Sequence, residues 1–562
     1  AVEKHQARQV YEKEVRKTVD PGLVEHVGGN NFRTRLYPIP PNGGTRTIKL
    51  TYVADLGANA NGNGAAITLP LGFGAALDEL KLDVLVENTA NPAPGAHSTS
   101  GYEKGFELSR SGWLLRDSIK GKDLPELTIT LPEAAQQTTT IQKRMKLAAS
   151  VEDLDLIRKG GPAAATFGNY EHYFVVTDNP DRPKLQRPAP EAMLVNKNVL
   201  VVWDASLSRA NSDTAREIKL LDDALAKLGR PALDIVLLRN DVEVKHGFGA
   251  GAEGNAAAIE ALKKVTYDGA TNLSALKIPK NVQDLGTSLR FIAKPKDYDL
   301  AFVFTDGLAT IGKDATPQPA VPVYAFAGDA SANHGLLRAL GQRSGGAYAN
   351  LKRETDAAAL AMVGEPTYSV IGVEFDKAKV ADVYPGVGTA VGRRVTVSGR
   401  LLAPEAQVTL VYGFGKTETS RRTFTLTAEK ASEGHLLARF WATQKAAELG
   451  LDADKNRDDL LKLGREFGLV TPYTSLLVLE TVEQYVQHRV VPPKSRPDVY
   501  AAFMEKIEQN RATAERTREQ KIEAVAAAWN QKVQWWEKKY EYPPNLRYAE
   551  PAAKDAQRLA AL

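Results

Sequence analysis

No cysteine occurs among the 562 residues, which removes disulfides, thiolate metal sites and cysteine nucleophiles together. The redox compartment stays open. An excess of one charge is missing too. The 72 basic and 68 acidic side chains leave +4, too little for nucleic acid to be the main partner of so long a chain. No apolar run approaches the roughly 20 residues that span a bilayer, so any signal or membrane anchor is expected outside this sequence. The eight histidines are scattered, with no H-E-x-x-H and no close pair. G-x-S-x-G and the Walker phosphate loop are also missing. The sequence is therefore read as non-enzymatic.

What is present is the composition of a globular protein, 43% hydrophobic and 25% charged, with length for about three or four domains. Residues 5–19 are rich in helix formers and stop at Asp20-Pro21-Gly22, which predicts a short helix. Residues 31–40 and 45–53 alternate on either side of Pro41-Asn42-Gly43-Gly44. That pattern predicts a hairpin with Ile48, Leu50 and Tyr52 on one face. Further strands are expected at 81–86, 127–131 and 173–176, and a proline-rich linker at 179–190 closes this all-β region.

From Lys197 the texture changes to alternating strands and helices. Strands are expected at 198–203, 233–238, 242–246, 299–304 and 321–326, with helices at 217–228, 255–265 and 334–343. This is the pattern of a doubly wound parallel sheet. Beyond about residue 365, strands return at 370–374, 394–402, 407–412 and 423–428. Helices follow at 434–449 and 457–467, then a strand at 473–481 and a long charged helix at 498–540. Trp529, Trp535 and Trp536 on that helix are expected to pack against the chain's own helices rather than a partner or a membrane.

The strongest chemical signal is Asp204-Ala205-Ser206-Leu207-Ser208, directly after the apolar strand 198–203. The carboxyl edge of an open α/β sheet is where ligands bind. In extended backbone alternate side chains share a direction, so Asp204, Ser206 and Ser208 converge. A hard divalent ion takes about six oxygens. Thr271, in the polar loop YDGATNL, and Asp306, which ends an apolar strand, are expected to add to the set. The glycine cluster between Gly247 and Gly254 lacks the setting of a dinucleotide site and is expected near the same face. Taken alone, D-x-S-x-S also fits a helix cap in which Ser206 or Ser208 serves backbone N–H groups.

The five positions resemble the metal-ion-dependent adhesion site of von Willebrand factor A domains. That resemblance implies that Ser206, Ser208 and Thr271 touch Mg²⁺, or another divalent cation such as Mn²⁺ or Ca²⁺, while Asp204 and Asp306 act largely through waters. A dication held mostly by neutral hydroxyls keeps charge for the Asp or Glu carboxylate of a protein partner.

The opening resembles the vault protein inter-alpha-trypsin domain through Ala7, Arg8, Tyr11, Asp20-Pro21, Gly28-Gly29-Asn30, Phe32, Arg33, Arg35 and the turn from Pro38 to Pro41. The segment from Val470 to Ser475 is similar to one in inter-alpha-trypsin inhibitor heavy chains and their bacterial relatives. The sequence begins partway through that first domain, so an upstream fragment completing it is expected.

The fold class expected is multidomain: a doubly wound α/β von Willebrand factor A domain at 191–355, flanked by β-sandwich regions at 1–190 and 356–430. A helical region at 431–497 and a charged helix and tail at 498–562 complete the chain. The function expected is cation-dependent, adhesion-type protein binding in the periplasm, at the cell surface or in secretion of a bacterium. The alternative is a scaffold whose metal site is vestigial or filled by the protein's own carboxylate.

Overall fold

A computed structural model describes residues 1–17, 21–29, 31–36, 42–45, 47–49, 51–58, 65–72, 77–87, 93–121, 124–131, 137–145, 170–181, 183, 197–286, 296–312, 316–391, 394–415, 417–492, 496–539, 541 and 544–545. They form two compact units, 1–480 and 481–562. Most of the expected linker, from 184 on, and the turn from Pro38 to Pro41 lie outside the described residues.

The chain opens with strand β1 (Val2–Glu3), helix α1 (Lys4–Arg16) and strands β2 (Gly22–Gly28) and β3 (Asn31–Leu36). Helix α1 buries Ala7, Val10 and Glu14, the helical spacing of one packed face. The expected hairpin is corrected: β3 pairs with β2, not with 45–53. The described residues of 45–56 carry no regular structure, and Ile48 and Tyr52 are exposed. Gly28 at φ 123 and Gly29 at φ 53 adopt backbone angles that a Cβ disfavours, so the reversal falls before β3. The strand Thr474–Val478 returns from far along the chain to lie between β1 and β2, antiparallel to both.

Two β-sandwich cores follow. In one, Leu115, Leu127 and Ile129 are buried where the antiparallel pair Glu79–Val86 and Gly112–Lys120 meets the sheet containing Glu126–Leu131. In the other, Gln137–Met145, Tyr170–Asp178 and Val395–Leu401 form a sheet packed on Tyr368–Phe375, Glu405–Phe414 and Thr417–Thr427. Its core holds Phe174, Val176, Val408, Leu410 and Leu426.

His172 in this sandwich is 8% exposed, and burial, with help from Lys143, holds its imidazole below the ordinary 6.5. Below that value the unfolded chain takes up a proton that the folded chain resists, so stability is full above it and falls as pH drops through and below it. Thermal midpoints in chelator should decline from about pH 7.5 to about pH 5, and His172→Gln should flatten the decline. An equal slope in the variant would assign the effect elsewhere.

The doubly wound domain holds the six-stranded sheet. Its strands are β4 (Asn198–Asp204), β5 (Ala232–Leu238), β6 (Val242–Phe248), β7 (Leu300–Phe304), β8 (Val323–Ala327) and β9 (Ala347–Asn350), in the order β6-β5-β4-β7-β8-β9. Helices α2 (Thr214–Lys227), α3 (Ala252–Lys263) and α4 (His334–Arg343) are among its cover. Both faces are packed: Val201 and Phe302 belong to one core, Leu200 and Val303 to the other. Continuous apolar runs, not alternation, therefore mark these strands.

One edge departs from the expected parallel sheet. β6 runs antiparallel to β5, because only Arg239, Asn240 and Asp241 join them and a parallel return needs a dozen or more residues. This also corrects the place of the glycine cluster. Phe248 lies opposite Leu233 and the Gly251 amide bonds to the Arg230 carbonyl, so the cluster sits at the amino edge of β5, away from Asp204.

In the second unit, Tyr485, Val499 and Phe503 are buried between the helices Val482–His488 and Pro497–Glu537. The expected packing of the tryptophans is corrected, since Trp529, Trp535 and Trp536 are 66%, 59% and 78% exposed. The shorter helix has 7 residues. At about 1.5 Å rise per residue it covers only the first turns of its 41-residue neighbour.

Candidate metal centre

β4 delivers Asp204 at the carboxyl edge of the sheet, and the chain then turns into the short 3-10 helix Leu207–Asn211. Asp204, Ser206, Thr271 and Asp306 are each at most 2% exposed, while Ser208 faces solvent. The cluster is thus a polar pit open at one side.

Its hydrogen bonds join three loops. The Ser206 amide donates to Asp204 Oδ1 at 3.0 Å, the Ser206 and Ser208 hydroxyls are 3.0 Å apart, and Ser208 donates to Asp306 Oδ2 at 2.7 Å. Thr305, which sequence reasoning passed over, donates its hydroxyl to Asp204 Oδ2 at 2.5 Å. Its position beside Asp306 was the available signal. The Leu308 amide donates to Asp306 Oδ1 at 2.9 Å, and the Asn333 amide to the Asp306 carbonyl at 2.7 Å.

The loop of Thr271 is tied to the first by Leu207 N to Gly269 O and by Asp268 N to Ala205 O. The Thr271 amide donates to Thr310 Oγ1 at 2.8 Å. Its own hydroxyl is buried with no hydrogen-bond partner. An unpaired buried hydroxyl costs about 1–3 kcal/mol, so one retained in a polar pit calls for an explanation.

Electrostatics point the same way. Burial pushes the Asp204 carboxyl above its ordinary value, the Thr305 hydroxyl pulls against this, and the charge of Asp306 adds to it. Two carboxylates sharing a pit, one of them desolvated, form a place where positive charge is favoured. Arg209 does not supply it by contact, because both its terminal nitrogens bond to Glu217, itself 1% exposed.

The residues present fit a divalent cation. Three hydroxyls and two carboxylates are hard oxygen donors, and the orphan Thr271 hydroxyl is the kind of atom a ligand would satisfy. Among the described residues no group of three or more His, Asp or Glu side chains is placed to hold a metal. A cation here would rest on hydroxyls as much as on carboxylates. The helix-cap alternative is not what the geometry shows, since the 3-10 helix that starts after Ser206 has no side-chain cap bond.

Residues 1–52 match the family model of the vault protein inter-alpha-trypsin domain. No curated protein matches the sequence. Among solved structures, a von Willebrand factor type A protein from Catenulispora acidiphila aligns over 59% of this chain and 87% of its own, at 15% identity and a TM-score of 0.30. An aerotolerance-related membrane protein from Bacteroides fragilis aligns over 30% of this chain and 96% of its own, at 12% identity and a TM-score of 0.23. A mussel byssus proximal thread matrix protein with a zinc-occupied MIDAS motif aligns over 30% of this chain and 45% of its own, at 13% identity and a TM-score of 0.21. The chain joins a segment at 1–52 that matches the vault protein inter-alpha-trypsin model to a domain built on a doubly wound, six-stranded sheet.

Proposed function

We propose that this chain binds a protein partner through a divalent cation, Mg²⁺ or Mn²⁺, held by Asp204, Ser206, Ser208, Thr271 and Asp306. The observation that carries the reading is the buried, unpartnered hydroxyl of Thr271 beside two carboxylate-bearing loops. Ser206, Ser208 and Thr271 would offer neutral oxygens, and Asp204 and Asp306 the balancing charge. A bound dication would supply Lewis acidity toward a carboxylate ligand. The protein's own part is to hold the five side chains on three mutually bonded loops, with Ser208 marking the side from which a partner enters. We place the activity as binding rather than catalysis, at a bacterial surface or in the periplasm. Among the described residues no helix is long and apolar enough to cross a membrane.

The test is a thermal midpoint with Mn²⁺ against chelator. A ligand at about a hundred times its Kd adds about 2.7 kcal/mol, so wild type should gain several degrees. Asp204→Ala should abolish the gain. Thr271→Val is the more telling variant. It removes a hydroxyl that bonds to nothing, so stability in chelator should hold or rise by about 1–2 kcal/mol while the Mn²⁺ gain shrinks. An unchanged gain in Thr271→Val would remove Thr271 from the site.

The scaffold reading has its own support, since Ser208 already bonds Asp306 and the opening segment packs against the loop after Asp306. It predicts midpoints indifferent to Mn²⁺, to chelator and to both substitutions.

A further inference from the structure

The turn between β2 and β3 ends at Asn31, 300 residues before Ser331 in sequence, yet touches the loops that hold Asp306. Asn31 Nδ2 donates to the Ser331 carbonyl at 2.7 Å and to the Gly28 carbonyl at 3.2 Å, fastening the turn to the segment that leads into α4. Gly29 is closer still. A Cβ on it would meet Leu308 Cδ2 at 2.9 Å and the Asn333 backbone Cα at 3.1 Å.

Those two contacts are the residues whose amides hold Asp306. Leu308 N–H bonds the Asp306 carboxylate, and Asn333 N–H bonds its carbonyl. The Leu308 side chain could swing aside for an added methyl. The Asn333 backbone is pinned at the start of α4, where its side chain also caps Leu336 N–H at 3.2 Å. Pressure from position 29 would therefore pass to Asp306.

We infer that the Gly28, Gly29 and Asn31 turn of the opening segment is a positioning element of the metal centre, so that docking of this segment and cation binding are thermodynamically linked. The inference rests on the metal reading proposed above. Linkage is reciprocal: a segment that favours the binding-competent place of Asp306 tightens cation binding, and a bound cation tightens docking of the segment by the same factor. Gly29 and Asn31 touch no cation in this account. They act through Leu308, Ser331 and Asn333.

The experiment uses the full chain with Mn²⁺ alone as probe, in calorimetric titration and in amide hydrogen exchange of residues 22–36. Asn31→Ala and Gly29→Ala are each expected to weaken Mn²⁺ binding about tenfold, within the range of couplings between linked sites. Asn31→Ala, which adds no atoms, should keep the wild-type midpoint in chelator to within a few degrees, so a general loss of fold is separable from a loss of linkage. In wild type, Mn²⁺ should slow exchange across β2 and β3, and in Thr271→Val this protection should shrink. Wild-type affinity in both variants, or exchange in β2 and β3 that ignores Mn²⁺ while the metal binds, overturns the linkage and leaves the metal reading standing. Failure of wild type to bind Mn²⁺ overturns the metal reading, and the linkage with it.

Discussion

Glu217→Ala is expected to destabilise the doubly wound domain by about 3–5 kcal/mol, the cost of leaving a buried charge without its partner. Arg209 is 0% exposed and Glu217 is 1% exposed. The guanidinium gives both terminal nitrogens to the carboxylate, while its Nε has no partner. An arginine cannot shed its proton at any working pH, so removing Glu217 strands a full positive charge. That charge would then face Asp204 and Asp306, which already act on Arg209 through space.

The pair as a whole adds much less than either single loss implies. Burial drives the Glu217 carboxyl above its ordinary value although the guanidinium opposes this, so desolvation takes back most of what the attraction supplies. The double variant Arg209→Met with Glu217→Leu should consequently lie within about 1–2 kcal/mol of wild type, far nearer than either single change. Urea denaturation of the four proteins closes the cycle. Additive losses would show the two side chains to be independent and the ion pair unimportant.

The parts of this architecture that were legible in the sequence are those set by local chemistry. Val199, Leu200, Val201 and Val202 announce a strand covered on both faces, and all are fully buried. The helix 457–467 was bounded by its spacing, and the structure gives Arg457–Phe467. The D-x-S-x-S loop and Asp306 could be placed on one sheet edge because each follows a strand whose direction the parallel order fixes.

What was not legible depends on pairing at a distance or on a choice between two acceptable turns. Gly28-Gly29 and Asn42-Gly43-Gly44 both satisfy turn chemistry, and only β2 as a partner for β3 decides between them. The strand Thr474–Val478 reads as an element of the helical region, yet its ladder partners are Val2, Glu3 and Leu23 among others. Arg209 and Glu217, eight apart on different elements, look like ordinary surface charges until the 3-10 helix turns one toward the other.

The site depends on the core beneath it, and Phe304→Ala should show this through two readouts. Phe304 is the last residue of β7, 0% exposed, stacked on Phe326 with ring centroids 5.0 Å apart and tilted against Trp203 at 5.1 Å. Truncating a buried phenylalanine costs about 3–5 kcal/mol, and aromatic pairs add about 0.5–1.5 kcal/mol beyond burial. Thr305 and Asp306 follow directly, so the cavity opens beneath the residues that hold Asp204 and offer the second carboxylate. Trp203 precedes Asp204 in the same way on β4 and leans on the same ring. The truncation should lower the urea midpoint and also reduce the Mn²⁺-induced thermal gain, because a relaxed cavity no longer fixes where Asp204 and Asp306 stand. Phe304→Leu fills most of the space and should recover most of both. A Phe304→Ala protein that loses stability but keeps the wild-type Mn²⁺ gain would show that the loops hold the pentad without help from the aromatic stack.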